Sequence, residues 1–68
     1  MDMTLQLAVA RGTARGLING SAADYGDVIC LRRFLLREGE LGLATDLLVL
    51  AKTMTPTAAE LSEYGPAA

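Results

Sequence analysis

The sequence has 68 residues, of which 51% are hydrophobic, and a formal net charge of −2 at pH 7. This charge disfavours nucleic acid as a partner, because nucleic-acid-binding domains normally carry a strongly basic surface. The chain contains one cysteine and no histidine, which excludes an internal disulfide, histidine-based catalysis and the common zinc sites.

Small size and high hydrophobicity together predict self-association. A chain of this length buries only about 60% of its unfolded surface, so its core is marginal unless something else stabilises it. Half of the residues are apolar, and no disulfide or zinc site can supply the missing stability. We therefore expect a homodimer, and we expect no enzyme activity, no cofactor and no metal.

The sequence contains no recognisable targeting signal or membrane segment. Residues 1–3 include an acid where a signal peptide would carry basic residues. The longest dense apolar run covers residues 47–51, far below the ~18 residues of a membrane span. We expect a cytoplasmic protein without a membrane partner, and a single cysteine agrees with a reducing compartment.

The first segment, residues 3–18, fits two periodicities. Apolar residues recur every three or four positions, which predicts an amphipathic helix and leaves only Leu5 and Val9 of the large residues outside its stripe. The stripe consists of Met3, Leu7, Ala10, Ala14, Leu17 and Ile18. Residues 4–10 also alternate like a strand, but over a shorter length. We expect a helix over residues 3–18 and confine any strand to residues 3–10.

Small residues form a second stripe on this helix, at Ala8, Gly12 and Gly16. Such a stripe allows another helix to approach closely. The two glycines also weaken the helix by about 1 kcal/mol each relative to alanine, so they are typical of a frayed or broken end. We favour the second interpretation.

The second helix is predicted over residues 22–38. The preceding residues 19–21 combine a helix stop with Ser21, a good N-cap for the next helix. Asp24 and Asp27 fall early in that helix, where carboxylates stabilise the positive end of its dipole. Apolar residues surround most of this helix, which is typical of an element buried on several sides.

Some residues of the second helix fall outside this pattern. Phe34 and Cys30 lie nearly opposite the main apolar arc; we interpret Cys30 as a small core residue, because nothing nearby would ionise its thiol. Arg32 falls inside the arc, where it can stack on an aromatic ring, pair with a carboxylate such as Asp46, or lay its stem over the core edge. Arg33 and Arg37 share a polar face with Gly26.

The third helix, predicted over residues 40–54, completes an αα-hairpin. Gly39 provides the C-terminal cap of the second helix, and Glu40 begins the third. Apolar residues cover half of its circumference, while Val49 projects from the polar side. The apolar face consists of Leu41, Leu43, Ala44, Leu47, Leu48, Leu50, Ala51 and Met54.

A short fourth helix is predicted over residues 56–64. Thr55 as N-cap before Pro56 is one fit for its start, and a capping box formed by Thr57 and Glu60 is the alternative. Tyr64 is expected to anchor this tail on the hairpin with its hydroxyl at the surface.

These elements predict an all-α fold, a single domain over residues 1–68 with three to four helices around a central αα-hairpin. We expect a dimer interface on the second helix and the exposed flank of the third. Its residues would be Arg32, Phe34, Arg33, Arg37, Val49 and Cys30.

The function that fits this picture is a non-catalytic protein-interaction module. It would bind itself and another protein, in the manner of phage- and plasmid-type inhibitors that block a host regulator. The alternative is a DNA-binding regulator or antitoxin. If residues 4–10 form a strand, the order strand–helix–helix over residues 3–54 resembles ribbon-helix-helix proteins, whose paired strands read the major groove. The outward positions of that strand contain no base-reading arginine, and a helix-turn-helix would need a basic recognition helix.

Overall fold

The computed structural model describes the backbone of residues 3–67 and the side chains of residues 5–67. These residues form four α-helices and no strand, as the predicted all-α class requires. The helices are α1 (Met3–Ile18), α2 (Tyr25–Arg37), α3 (Leu41–Thr53) and α4 (Ala58–Tyr64).

Helix α1 is continuous from Met3 to Ile18, so the strand considered at residues 3–10 is absent and the two glycines do not break the helix. The helix ends where Gly20 takes a positive φ of 109°. The Ser21 amide donates to the Gly16 carbonyl at 2.9 Å, and the Gly20 amide donates to the Leu17 carbonyl at 3.1 Å. This pair of bonds is a Schellman cap.

Helix α2 begins at Tyr25, three residues later than predicted, and Ser21 is not its N-cap. The Ser21 amide is held by the cap of α1, and the N-cap of α2 is Asp24, which has an extended backbone. The Asp24 amide donates to the Asp27 carboxylate at 3.4 Å. Both carboxylates therefore lie at the start of α2, where negative charge stabilises the positive end of the helix dipole, as their positions in the sequence predicted.

The hairpin turn consists of residues 38–40. Gly39 has a φ of 79°, which other residues adopt at a cost. The Gly39 amide donates to the Leu36 carbonyl and the Glu40 amide to the Leu35 carbonyl, at 3.2 and 2.9 Å. This second Schellman cap ends α2 at Arg37 and lets α3 begin at Leu41, so the predicted αα-hairpin is confirmed.

The core lies between α1, α2 and α3, and the three helices contribute differently sized side chains. Helix α2 supplies most of the bulk, whereas α1 and α3 supply mainly alanines that let the helices approach closely. The buried residues are Ala10, Ala14, Leu17, Tyr25, Val28, Ile29, Leu35, Ala44, Leu47 and Ala51.

Three large side chains that the sequence placed on apolar faces are exposed instead: Ile18, Leu36 and Leu41. Each lies at or near a helix end, where fewer neighbours surround it. The total accessible surface is 4355 Å², close to the roughly 4,100 Å² of a folded monomer of this mass. The fold therefore exposes about as much surface as a typical monomer of this mass.

The tail packs back onto α2. Helix α4 begins after Thr57, so the capping-box alternative is correct and a start at Pro56 is wrong; the Glu60 amide donates to the Thr57 hydroxyl at 3.2 Å. The Tyr64 ring covers Gly26, where a Cβ would lie 2.5 Å from the ring. Gly26 is thus buried rather than part of a polar edge, and Tyr64 anchors the tail as predicted.

Candidate interaction surfaces

The chain's own tail covers part of the α2 face on which the sequence predicts the dimer interface. The Arg33 guanidinium donates to the Tyr64 carbonyl at 2.5 Å, and the Tyr25 hydroxyl donates to the Gly65 carbonyl at 2.7 Å. Arg33 is therefore engaged within the chain, while Arg37 is exposed.

Tyr64 lies in an acidic setting beside this face. The adjacent Glu63 carboxylate raises the pKa of the Tyr64 hydroxyl above its ordinary value of 10.0, and desolvation and Cys30 raise it further. The hydroxyl therefore stays neutral at physiological pH. The tail contributes an aromatic anchor and no additional negative charge at this point.

Cys30 and Phe34 both have environments that differ from the predicted ones. Cys30 is exposed, so the interpretation as a core residue is wrong. It lies on the wall of a shallow groove of 380 Å³ that also contains Ala23, Leu31 and Thr13. Phe34 is half-buried and packs against the core. An aromatic ring is large enough to reach the core of its own chain from a position outside the main apolar arc.

Arg32 is half-buried without the ion pair that we considered for it. Its Nε atom is buried and has no hydrogen-bond partner within residues 5–67, and Asp46 is exposed. The other two alternatives, stacking on an aromatic ring and a stem that lies over the edge of the core, stay predictions.

Val49 belongs to a different surface from the predicted residues of α2. Its side chain is 60% exposed and lines a groove of 380 Å³ between α1 and α3, together with Ile18, Leu50 and Asp46. The six predicted interface residues therefore do not form one patch. Their assignment to an interface stays a prediction.

The outer face of α1 is an apolar surface that the predicted interface residues did not include. Leu5 and Val9 are 55% and 60% exposed, and Gly12 and Gly16 continue the same stripe at spacings of four, three and four residues. At about 100° per residue these four positions fall within about 60° of the helix circumference. We call Leu5, Val9, Gly12 and Gly16 the α1 seam.

The seam is free of charge, which is unusual for the exposed side of a helix. Arg11 points away from it and bonds to Glu40, with Nε 2.7 Å from the carboxylate. Arg15 lies at the edge of the seam. The neighbouring Thr13 hydroxyl already donates to the Val9 carbonyl at 2.9 Å, so covering this face would leave no hydroxyl proton unpaired.

An apolar groove extends the seam toward α2. It has a volume of 420 Å³ and joins Leu5, Val9 and Ala10 of α1 to Leu31 of α2. The signal for this surface was present in the sequence, because Leu5 and Val9 were the two large residues outside the core stripe. The spacing of Leu5 and Val9 to Gly12 and Gly16 places all four residues on one face of the helix, which is the pattern of the α1 seam.

Within the described residues, no three His, Cys, Asp or Glu side chains are grouped as metal ligands would be. None of the described helices combines the length and the apolar composition that crossing a bilayer demands. Comparisons with protein-family models, with curated proteins and with solved structures found no match.

Proposed function

We propose that this protein is a small non-catalytic protein-interaction module that works as a homodimer. The observation that carries the proposal is the amount of apolar side chain on its surface. Among residues 5–67, whose side chains the structure describes, seven large apolar residues are exposed: Leu5, Val9, Ile18, Leu36, Leu41, Val49 and Leu61.

The energetics favour covering at least part of this surface. Burying a leucine or valine fully stabilises by roughly 1.5–3 kcal/mol. A core of this size supplies only about 3–5 kcal/mol, so a contact that covers several half-exposed side chains would contribute a comparable amount. The helices already enclose their own core, which leaves association as the way to cover the rest.

In this proposal the dimer is the active form and binds another protein, whose activity it would block or regulate. The acidic composition, with eight carboxylates against six basic residues, suits a partner with a basic or apolar surface. Surface grooves on two sides of α1 leave room for a dimer contact and a second contact at the same time.

The DNA-binding alternative has less support. A ribbon-helix-helix protein requires a strand where α1 is helical. In a helix-turn-helix arrangement α3 would be the recognition helix, but its charged residues are one acid and one base, Asp46 and Lys52. Such a helix would offer little attraction to phosphates.

Light scattering after size exclusion tests the proposal. The dimer predicts a mass near twice the chain mass of 7.2 kDa at micromolar concentration, falling toward the monomer on dilution. A monomer mass at all concentrations up to the millimolar range, with cooperative thermal unfolding, would overturn it.

A further inference from the structure

We propose that the dimer forms through the α1 seam, with α1 of one copy packed antiparallel against α1 of a second copy across a two-fold axis. This inference rests on the proposed homodimer and names its interface. The occupant of the apolar α1 surface is thus a second copy of this chain.

The first argument is the absence of charge along the seam. Leu5, Val9, Gly12 and Gly16 and their neighbours Ala8 and Thr13 carry no ionisable group, and Arg15 lies only at the edge, where its long stem lets the guanidinium stay in water. The large members of this set are more than half exposed in the single chain. A dry helix-to-helix contact can therefore form without burying an unpaired charge.

The second argument is the fit of the seam to itself. Its N-terminal half has two large side chains, and its C-terminal half has two glycines. In an antiparallel pair, Leu5 of one copy faces Gly16 of the second copy, and Val9 faces Gly12 of the second copy. Each large side chain then meets a gap, which is the knobs-into-holes pairing of helices with apolar residues at spacings of four and three.

The direction of the pairing follows from size and charge together. A parallel pair would place Leu5 against Leu5 and leave the glycines facing each other across a void. It would also bring Arg15 close to Arg15 of the second copy. In the antiparallel pair these two arginines are about 14 Å apart along the axis, beyond the ~8 Å screening length at physiological salt.

The groove between α1 and α3 is a weaker candidate for the same contact. Val49 is as exposed as Val9, but Asp46 lines that groove. A two-fold contact there would bring two copies of this carboxylate into the interface, and none of the described basic side chains forms an ion pair with it. Burying such a carboxylate opposes association.

The two valines provide a matched test of the interface. Val9→Glu and Val49→Glu add the same charge at equally exposed positions of two helices, so their effects on an isolated chain should be similar. We expect Val9→Glu to raise the dimer dissociation constant at least 100-fold and Val49→Glu to change it less than threefold, measured by light scattering or sedimentation. A dimer lost in Val49→Glu and kept in Val9→Glu would overturn the inference while leaving the homodimer intact; a monomeric wild type would overturn both.

A second variant separates the contact from folding. A Cβ at Gly12 would meet no atom within 4 Å, and glutamine is a better helix former than glycine. Gly12→Gln should therefore keep or raise the thermal stability of the monomer, yet raise the dimer dissociation constant at least tenfold, because the site for Val9 of the second copy is filled. An unchanged dissociation constant would contradict the seam.

Disulfide cross-linking tests the direction in a Cys30→Ser background. Chains with Leu5→Cys, mixed with chains with Gly16→Cys, should cross-link on oxidation, since an added Cβ at Gly16 meets only Ser21 at an ordinary 3.5 Å. Leu5→Cys alone should not cross-link, because the two Leu5 positions lie about 16 Å apart along an antiparallel pair, beyond the ~7 Å limit between Cα atoms. Efficient cross-linking of Leu5→Cys alone would overturn the antiparallel arrangement.

Discussion

In the α2–α3 hairpin, large apolar side chains face the neighbouring helix, and Leu35 and Leu47 are completely buried. In α1 the buried stripe consists of Ala10, Ala14 and Leu17, while the large residues Leu5 and Val9 face outward. The hairpin therefore supplies the largest fully buried side chains of the core. Helix α1 has one face that fits this hairpin closely and another that has the composition of a contact between chains.

The same difference distinguishes the glycines of the two regions. Gly39 in the hairpin turn has a φ of 79°, so its conformation needs glycine. Gly12 and Gly16 lie inside a regular helix, where glycine is unfavourable. In the proposed dimer, the α1 helix of the second copy would approach these two glycines closely.

The largest expected effect comes from truncating matched leucines in the two regions. Leu47→Ala should lower the free energy of unfolding by about 2–5 kcal/mol, because it leaves a cavity in the hairpin core. Leu5→Ala should change the stability of the dilute monomer by under about 1 kcal/mol, since its side chain is half exposed. Chemical denaturation at low protein concentration measures the free energy of unfolding of both variants. Equal losses of stability would contradict the difference between the two regions.

Replacing a glycine by alanine should change the stability by a smaller amount, and the change should have opposite signs in the two regions. Gly39→Ala should destabilise by about 1–2 kcal/mol, because alanine opposes a left-handed backbone. Gly12→Ala should stabilise the monomer by up to about 1 kcal/mol through helix propensity. Thermal unfolding followed by circular dichroism gives the sign of each change. Destabilisation by Gly12→Ala in dilute solution would show that the exposed side of α1 is packed within its own chain.

The smallest effect concerns the ion pair that links the regions. Arg11 bonds to Glu40 at the hairpin turn, but its side chain is 42% exposed, so the pair is worth about 0–1 kcal/mol. Arg11→Gln should lower the melting temperature by a few degrees at low salt, with the difference shrinking as salt is added. A loss that is large and insensitive to salt would mean that Arg11 holds α1 in place.

Much of the fold follows from the sequence by simple physical rules. The hairpin was predictable because Gly39 marks the turn and both flanking helices have an apolar face of helical period. The buried stripe of α1 was predictable for the same reason. The start of α2 was not, because Ser21 and Asp24 are both good N-caps, and the choice depends on the Schellman cap that holds the Ser21 amide.

The surfaces were harder to predict, because helical periodicity gives the residues that share a face but not what covers it. Periodicity assigns Gly26 to a polar face, but the Tyr64 ring covers it, through a contact between residues far apart in sequence. Cys30 and Phe34 lie about 40° apart on the helix, yet only Phe34 is long enough to reach the core. Helix α1 has two apolar stripes, and the one that contains Ala10 and Ala14 is buried in the core.

The most direct test of the α1 seam is an isotope-filtered NMR experiment on a dimer in which one copy is labelled and the other is not. The antiparallel seam predicts intermolecular contacts between the Leu5 methyl groups and Gly16, and between the Val9 methyl groups and Gly12. The α1 seam would be contradicted if the intermolecular contacts involved the Val49 methyl groups instead. It would also be contradicted by a dimer in which the α1 methyl groups make no contact across the interface.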